Sequence, residues 1–256
     1  MNVVLNPGEL LFLSMLTGAK EVFGIPDIYF GKTDEEIRYM VEPAATSCRE
    51  KEWYSVSFDG DKKLSSEMEQ VINRVSFADS VTEIVLRTTN AKQVRYLLYT
   101  KNRDTVVLQE NESSNKLCVI SDMFSLKTGL YVLFSQGCLV KGETEKFTVS
   151  RVELEEIRTA GKNKSGAFRA LLREKNVDSV TTQLIAEATL GRAGYFSAAT
   201  IQIFPTQRYT SIFYVADSGL VFQVKRTPEG DLGFERVSCD VAKQTAAAFI
   251  GGDFYV

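Results

Sequence analysis

The sequence repeats one succession of structural elements in its two halves. Residues 70–122 are predicted to form a helix, a strand, two strands joined by a tight turn and one further strand, and residues 183–240 repeat this order. Tyr99 and Tyr214 lie at the ends of corresponding predicted strands, and Gln109 and Gln223 lie at the ends of the next two. Two long copies argue for a pseudo-twofold architecture and against a solenoid, which shows many short periods. Such a fold presents a sheet and helical layers but no obvious active-site cleft.

Short connections make the repeated strands antiparallel. The turns at Asn102-Arg103 and at Asp217-Ser218-Gly219 are far shorter than the roughly dozen residues that a parallel crossover needs. The chain is therefore predicted to be α+β, with antiparallel sheets. We predict a single unit over residues 1–256, with a helical and strand extension (1–62), a first pseudo-repeat (63–141) and a second pseudo-repeat (150–251).

Capping residues mark the predicted helix starts. Asn6 is a good N-cap, Pro7 suits the first helical position, and Glu9 completes a capping box. Further helices are predicted to begin at caps or capping boxes at Thr33, Ser66, Ser150, Asp178 and Asp240. Pro43 is expected to end the second helix, because proline cannot donate a hydrogen bond in a helix interior. Residues 161–166 are expected to form a flexible loop.

Composition and charge exclude several classes of function. The chain has no histidine, so Ser-His-Asp and Cys-His nucleophilic sites, HExxH zinc sites and histidine acid–base chemistry are excluded. The net charge of −3 and the pI near 5.3 give no electrostatic case for nucleic acid or an anionic membrane. No apolar run approaches the roughly 20 residues of a membrane span, and the start lacks the basic flank of a signal peptide. A soluble, cytoplasmic protein is expected.

The candidate motifs for chemistry are weak. The cysteines at 48, 118, 138 and 239 include no CxxC pair, and structural thiols are expected, with Cys118 free and buried. Asp59-Gly60-Asp61 is a metal-binding pair or a hairpin turn, and the turn is favoured because calcium needs about 6–8 oxygen ligands. Residues 161–166 lack the Gly-Lys-Ser/Thr ending of a phosphate loop. No catalytic residue, metal or cofactor is predicted.

A basic stretch and an aromatic strand each permit two interpretations. The basic residues Arg158, Lys162, Lys164, Arg169, Arg173 and Lys175 are interleaved with a single aromatic residue, Phe168. A solvated helical face is therefore favoured over a nucleic-acid site. In the strand 208–214, bulky residues on both faces favour a central strand covered by helices. Alternatively, Tyr209, Ser211 and Phe213 form a half-exposed face for a helical partner, because aromatic residues are enriched at interface cores.

Taken in order, the chain resembles the EspG family of cytosolic chaperones of type VII secretion. The resemblance rests on the capped helix from Asn6 to Leu16, on the junction of Val71–Val75 with Thr82–Arg87, and on the stretches Asp178–Leu190, Tyr195–Phe204, the hairpin to Gln223 and Asp240–Ile250. It lies in pattern and order, without an invariant motif. Two departures are the short connection Lys101-Asn102-Arg103, where the family often has a long partner-binding loop, and the absence of an alanine- and arginine-rich character.

The resemblance implies both a fold and a function. It implies a quasi-twofold protein whose central antiparallel sheet is flanked by helical bundles. It also implies a non-enzymatic chaperone in protein transport that binds the helical tip of a secreted PE–PPE heterodimer and keeps it soluble before export. A WXG- or LXG-type helical hairpin is the alternative partner. The sequence does not determine the oligomeric state.

The resemblance and the aromatic strand together predict a contact surface. It consists of the turn and of alternate residues of the strand: Lys101, Asn102, Arg103, Tyr209, Ser211 and Phe213. If Phe213 is exposed, it is expected to be the anchor of this surface, and if it is buried it belongs to the core. The alternative function is a structural scaffold or adaptor of the secretion machinery, and a third is an enzyme that uses carboxylate or tyrosine chemistry.

Overall fold

The computed structural model describes residues 3–88, 93–111, 117–121, 123–135, 146–189, 192–203, 207–215 and 220–251. The helices of this part are α1 (Pro7–Leu16), α2 (Asp34–Glu50), α3 (Ser66–Ser76), α4 (Phe124–Ser135), α5 (Arg151–Thr159), α6 (Lys164–Glu174), α7 (Ser179–Thr189) and α8 (Cys239–Ile250). The strands are β1 (Val3–Leu5), β2 (Tyr54–Val56), β3 (Lys62–Leu64), β4 (Ser80–Arg87), β5 (Val94–Lys101), β6 (Asp104–Asn111), β7 (Leu117–Ser121), β8 (Lys146–Val149), β9 (Gly194–Gln202), β10 (Gln207–Val215), β11 (Val221–Arg226) and β12 (Leu232–Val237).

Strands β1 and β4–β12 belong to a large sheet, and every register described in it is antiparallel. Strands β2 and β3 form a separate antiparallel pair. The predicted α+β class with antiparallel sheets is thus confirmed. The predicted domain boundaries and the pseudo-twofold relation between the halves stay predictions.

The chain divides into two compact units. The first comprises residues 1–83, 94–123 and 200–208, and the second comprises residues 84–93, 124–199 and 209–256. The boundary between them falls within β4, within β9 and within β10, so each of these three strands contributes residues to both units.

The first unit packs α1, α2 and α3 with β1 and the β5–β6–β7 strands around an apolar core. Leu10 and Leu13 of α1, Ile72 of α3, and Tyr99 and Leu108 of the sheet are fully or almost fully buried there. Strand β1, which the sequence analysis missed, pairs with β7 through Val3 and Ile120. Because β1 is only three residues long, it carries no recognisable alternation of its own.

The second unit contains residues 209–215 of β10 and then β11, β12 and β8 as consecutive neighbours, with helices packed on them. Phe168 and Leu172 of α6 and Leu184 and Ile185 of α7 join Phe222 and Phe234 of the sheet in its core. The rings of Phe147 and Phe234 stack with centroids 4.8 Å apart.

Several predicted helix starts are confirmed by their side-chain bonds. Asn6, Thr33 and Ser150 each form a complete capping box, in which the cap side chain and the N3 glutamate accept from each other's backbone N–H. The Asp178 carboxylate accepts from the backbone N–H groups of Val180 and Thr181, as expected for the cap of α7.

Other local predictions were wrong. The N-cap of α8 is Ser238, whose hydroxyl accepts from the Val241 N–H, so Asp240 lies inside the first turn. Ser65, not Ser66, precedes α3, and it makes no side-chain cap bond. Residues 161–166 form a 3₁₀ turn (Gly161–Asn163) and the start of α6 instead of a loop.

Helix α2 continues past Pro43 instead of ending there. The carbonyl group that loses its partner is that of Tyr39, four residues earlier; both Tyr39 and Pro43 are exposed, so water can hydrate it. Beyond it, Ala44 and Cys48 are buried in the core of the first unit, and this packing stabilises the last turns of the helix.

The cysteines are structural where the structure describes them. Cys48 is free and fully buried, and burial together with the nearby Glu9 carboxylate raises the pKa of its thiol to about 12. Cys239 is disulfide-bonded. The side chain of Cys118, the whole of Cys138, and the predicted turn at 217–219 lie outside the described residues.

Candidate partner-binding site

The turn predicted to contact a partner is a tight two-residue hairpin loop. It joins β5 to β6, whose last pair is Lys101 and Asp104. Asn102 and Arg103 both have left-handed backbones, with φ of 52° and 71°. This is the conformation of a type I′ turn, the loop that matches the twist of a hairpin. The turn therefore projects the Asn102 and Arg103 side chains into solvent from a rigid base.

Asp79 fixes this turn beside its neighbours. Its carboxylate accepts from the Asn102 N–H at 2.8 Å, and its own N–H donates to the Thr100 carbonyl at 2.8 Å. Its carbonyl accepts from the Ile203 N–H at 2.9 Å, just beyond the end of β9. One residue thus ties the hairpin, the start of β4 and the end of β9 together within the first unit.

An apolar groove of about 680 Å³ lies at this junction. We call it the Phe77 groove, and define it by the side chains of Phe23, Phe77, Ala78, Asp79, Ile201 and Ile203, which line it with their neighbours. Phe77 follows the last residue of α3 and leaves 43% of its surface exposed, and Phe23 leaves 45% exposed. A groove that exposes two large aromatic side chains is typical of a site that another molecule covers.

Hydrogen bonds hold the segment of Phe23 in place, and a cation–π contact adjoins Phe77. The hydroxyl of the buried Tyr99 donates to the Phe23 carbonyl at 2.7 Å, and Arg95 donates to the Gly24 carbonyl at 3.2 Å. Two ion pairs, with Glu83 and Glu110, orient the Arg95 guanidinium. On the other side, the Lys101 ammonium lies 5.2 Å from the centre of the Phe77 ring. The groove is therefore preformed, and a cation of the turn lies at its edge.

The structure separates the six residues predicted as the contact surface. Lys101, Asn102 and Arg103 lie beside the Phe77 groove in the first unit, whereas Tyr209, Ser211 and Phe213 of β10 belong to the second unit. Tyr209 is half-exposed and Ser211 is buried. A partner contact by the turn or by Tyr209 stays a prediction.

Phe213 belongs to the core and is therefore not an exposed anchor. Phe213 is fully buried, and its ring lies 5.9 Å from that of Phe196 and 6.2 Å from that of Phe134 on α4. Residues 211, 213 and 215 alternate onto the covered face of β10, while Ile212 and Tyr214 are half-buried on the other face. The interpretation of a central strand is the right one for this part of β10.

Sequence reasoning missed the side chains that build the groove. Phe23, Phe77 and Ile203 come from three distant segments and only tertiary structure brings them together. The one available signal was Phe77-Ala78-Asp79, where a large aromatic residue follows the end of an amphipathic helix directly.

The other candidate motifs have structural explanations. Asp59-Gly60 forms the predicted turn, with the Gly60 N–H donating to the Ser57 carbonyl. Among the described residues, no group of three or more histidine, cysteine, aspartate or glutamate side chains is arranged to hold a metal ion. In the basic stretch, Arg158, Lys175 and Arg169 pair with Glu155, Glu153 and Glu187. No helix in the described part of the chain is long and apolar enough to cross a membrane.

Comparisons with known proteins support the fold and leave the sequence without a match. No protein-family model and no curated protein matches this sequence. The structure is similar to that of the Mycobacterium tuberculosis type VII secretion system chaperone EspG5, solved in complex with the PE25–PPE41 dimer. The TM-score is 0.55 at 13% sequence identity, over 94% of this chain and 92% of that chain. The chain therefore has an EspG-like fold, as the resemblance implied.

Proposed function

We propose that this chain is a non-enzymatic chaperone of a type VII secretion system. In this proposal it acts in the cytoplasm and holds a secreted helical-hairpin protein soluble before export. The observation that carries the proposal is the Phe77 groove, an apolar site beside the turn that the family resemblance had singled out. The EspG-like fold supports it, because a solved protein of that fold is a chaperone in complex with a PE–PPE dimer.

The tip of a helical hairpin has the chemistry that this groove suits. Helix ends leave backbone groups without partners, and an unassembled tip exposes apolar side chains. The groove offers the exposed rings of Phe23 and Phe77 together with the polar turn 101–103. We infer a PE–PPE-type partner first, with WXG- and LXG-type hairpins as the alternatives.

The proposed contact residues have different roles. Phe77 replaces Phe213 as the anchor, because large aromatic residues carry much of the binding energy when a partner desolvates them. Arg103, at the exposed tip of the turn, acts at the rim, where charge affects the association rate more than the affinity. Lys101 and Asn102 frame the groove, and Tyr209 is a further exposed aromatic residue available to a partner.

The test is a titration of the purified chain with a co-encoded helical-hairpin protein or PE–PPE heterodimer. Phe77→Ala should weaken binding at least about tenfold, which corresponds to about 1.4 kcal/mol. Phe58→Ala is the matched control, because Phe58 is a fully exposed phenylalanine of the same unit outside the groove. Arg103→Ala should lower the association rate, with a smaller effect at high salt.

Two results would count against the proposal. Equal affinities of the Phe77→Ala and Phe58→Ala variants would exclude the groove as the site. If no helical-hairpin protein binds at micromolar concentration while a pull-down recovers an apparatus component, the chain is a scaffold or adaptor of the machinery instead. A chaperone should also raise the soluble yield of its partner on co-expression, and a scaffold should not.

A further inference from the structure

The charged side chains that line the Phe77 groove are of one sign. Among its described lining residues they are Glu21 and Asp79, and both are exposed to solvent. The remaining lining residues are apolar except for Ser76 and Gln202. A concave site that combines exposed aromatic rings with carboxylates suits a ligand with an apolar body and a positive charge.

Neither carboxylate is neutralised by an ion pair within the part of the chain that the structure describes. Asp79 accepts one hydrogen bond, from the neutral Asn102 N–H at 2.8 Å, which leaves its charge uncompensated. Lys101 lies at the edge of the groove, where its ammonium is 5.2 Å from the centre of the Phe77 ring, and it is not paired with either acid. Both negative charges are therefore available to a cation of a partner.

The surroundings of the groove are also negative. Val75 and Ser76 at the end of α3 belong to the lining, and the C-terminal end of a helix carries a partial negative charge. Arg74, the basic residue of this last turn, is paired with Asp104, which offsets its charge. In the first unit acidic residues outnumber basic ones, whereas the reverse holds in the second. A cationic segment is therefore attracted to the first unit before it reaches the groove.

We propose that the Phe77 groove selects a partner segment in which a lysine or arginine lies beside an apolar side chain. The apolar side chain packs against Phe23 and Phe77, and the basic side chain pairs with Glu21, with Asp79 as a second acceptor. The inference rests on the proposed chaperone function, because it names the chemistry of the segment that the same groove holds. Glu21 is then the residue that sets the charge preference.

The test compares three tetrapeptides with blocked ends, Gly-Phe-Lys-Gly, Gly-Phe-Gln-Gly and Gly-Phe-Glu-Gly, which differ in the charge beside the phenylalanine. Binding to the full chain is followed by NMR titration at low salt. The lysine peptide should bind about three- to fivefold more tightly than the glutamine peptide, which is the range of an exposed ion pair, and the glutamate peptide should bind least tightly. At about 0.5 M salt the difference should disappear, because salt screens exposed charges.

Substitutions of Glu21 assign the preference to the groove. Glu21→Gln should lower the affinity for the lysine peptide to that for the glutamine peptide, and Glu21→Lys should reverse the preference in favour of the glutamate peptide. The reversal is a gain of binding, which a damaged fold cannot produce. Glu42→Gln is the matched control, because Glu42 is an exposed glutamate of the same unit outside the groove. Asp79 is left in place, since its carboxylate also holds the turn.

Three results would overturn the inference. They are equal affinities of the lysine and glutamate peptides for the wild type, a preference that Glu21→Gln leaves unchanged, and no binding of any peptide at millimolar concentration.

Two outcomes separate this inference from the proposed function. If all three peptides bind equally and Phe77→Ala weakens each of them, the charge preference is wrong while the groove remains the site. If the lysine peptide is preferred but no helical-hairpin protein binds, the chemistry of the groove is confirmed and the chaperone role is refuted.

Discussion

Replacing Glu9 tests how a buried carboxylate holds the first unit together. Glu9 lies in the first turn of α1, and only 2% of it is exposed. Its carboxylate accepts from the Asn6 N–H at 2.8 Å, from the Ser47 hydroxyl at 2.6 Å and from the Lys51 ammonium at 2.6 Å. It therefore closes the capping box of α1 and at the same time bonds α1 to the end of α2.

The magnitude follows from these three bonds. Glu9→Ala leaves a cap N–H and the half-buried Ser47 hydroxyl without partners, each worth about 1 kcal/mol. The Lys51 bond adds less than about 1 kcal/mol, because the 40%-exposed lysine side chain can turn to water. We expect a loss of about 2–3 kcal/mol for Glu9→Ala. Glu9→Gln should lose about half as much, because the amide keeps one acceptor but carries no charge.

Urea unfolding followed by tryptophan fluorescence is the assay. The chain has one tryptophan, Trp53, which belongs to the first unit and lies 4.4 Å from the Lys51 ammonium, so the signal reports on the affected region. Glu36→Ala is the matched control, since Glu36 completes the corresponding capping box of α2 at an exposed position. Equal shifts of the midpoint in the Glu9→Ala and Glu36→Ala variants would refute the reasoning.

The same carboxylate predicts a dependence on pH. Burial on its own raises the pKa of Glu9, but the bonds from Lys51, Ser47 and Asn6 outweigh burial and hold the pKa below its ordinary value of 4.5. The stabilisation is therefore complete above pH 4.5 and is lost as the pH falls through the lower folded-state value. The difference in stability between the wild type and Glu9→Gln should shrink over that acidic range, and a constant difference would contradict the assignment.

Three further substitutions test other parts of the structure. Arg103→Gly should raise the free energy of unfolding by about 1 kcal/mol, measured by denaturant unfolding, because glycine adopts the left-handed backbone without the strain of a side chain. Asn102→Gly should raise it by less, because asparagine tolerates this backbone better than arginine does. Ser238→Ala should cost about 1 kcal/mol as the true N-cap of α8, and an equal or larger loss for Asp240→Ala would show that the cap is misplaced. Phe213→Ala should lower the free energy of unfolding by about 3–5 kcal/mol, measured by thermal unfolding, because its ring is fully buried. Tyr209→Ala, at an exposed position of the same strand, should change the stability little, and similar losses for the two variants would contradict the assigned faces.

The sequence by itself determined several helix starts, the hairpin at residues 101–104 and the class of the fold. Capping boxes at Asn6, Thr33 and Ser150 depend on residues three positions apart, so the chain carries the whole signal locally. The short connection at Asn102-Arg103 likewise forces an antiparallel hairpin, whatever packs against it. The order of helices and strands was enough to indicate the EspG-like fold.

Only the tertiary structure decided which aromatic side chains are exposed and which helices continue. Phe213 and Phe77 are the same residue type in apolar stretches, yet one is covered by Phe134 and Phe196, and the other ends a helix at an open groove. Helix α2 passes Pro43 because the residues beyond it are buried against the core. Burial depends on neighbours that are distant in sequence, and no local pattern records them. The Phe77 groove therefore could not be predicted from the sequence.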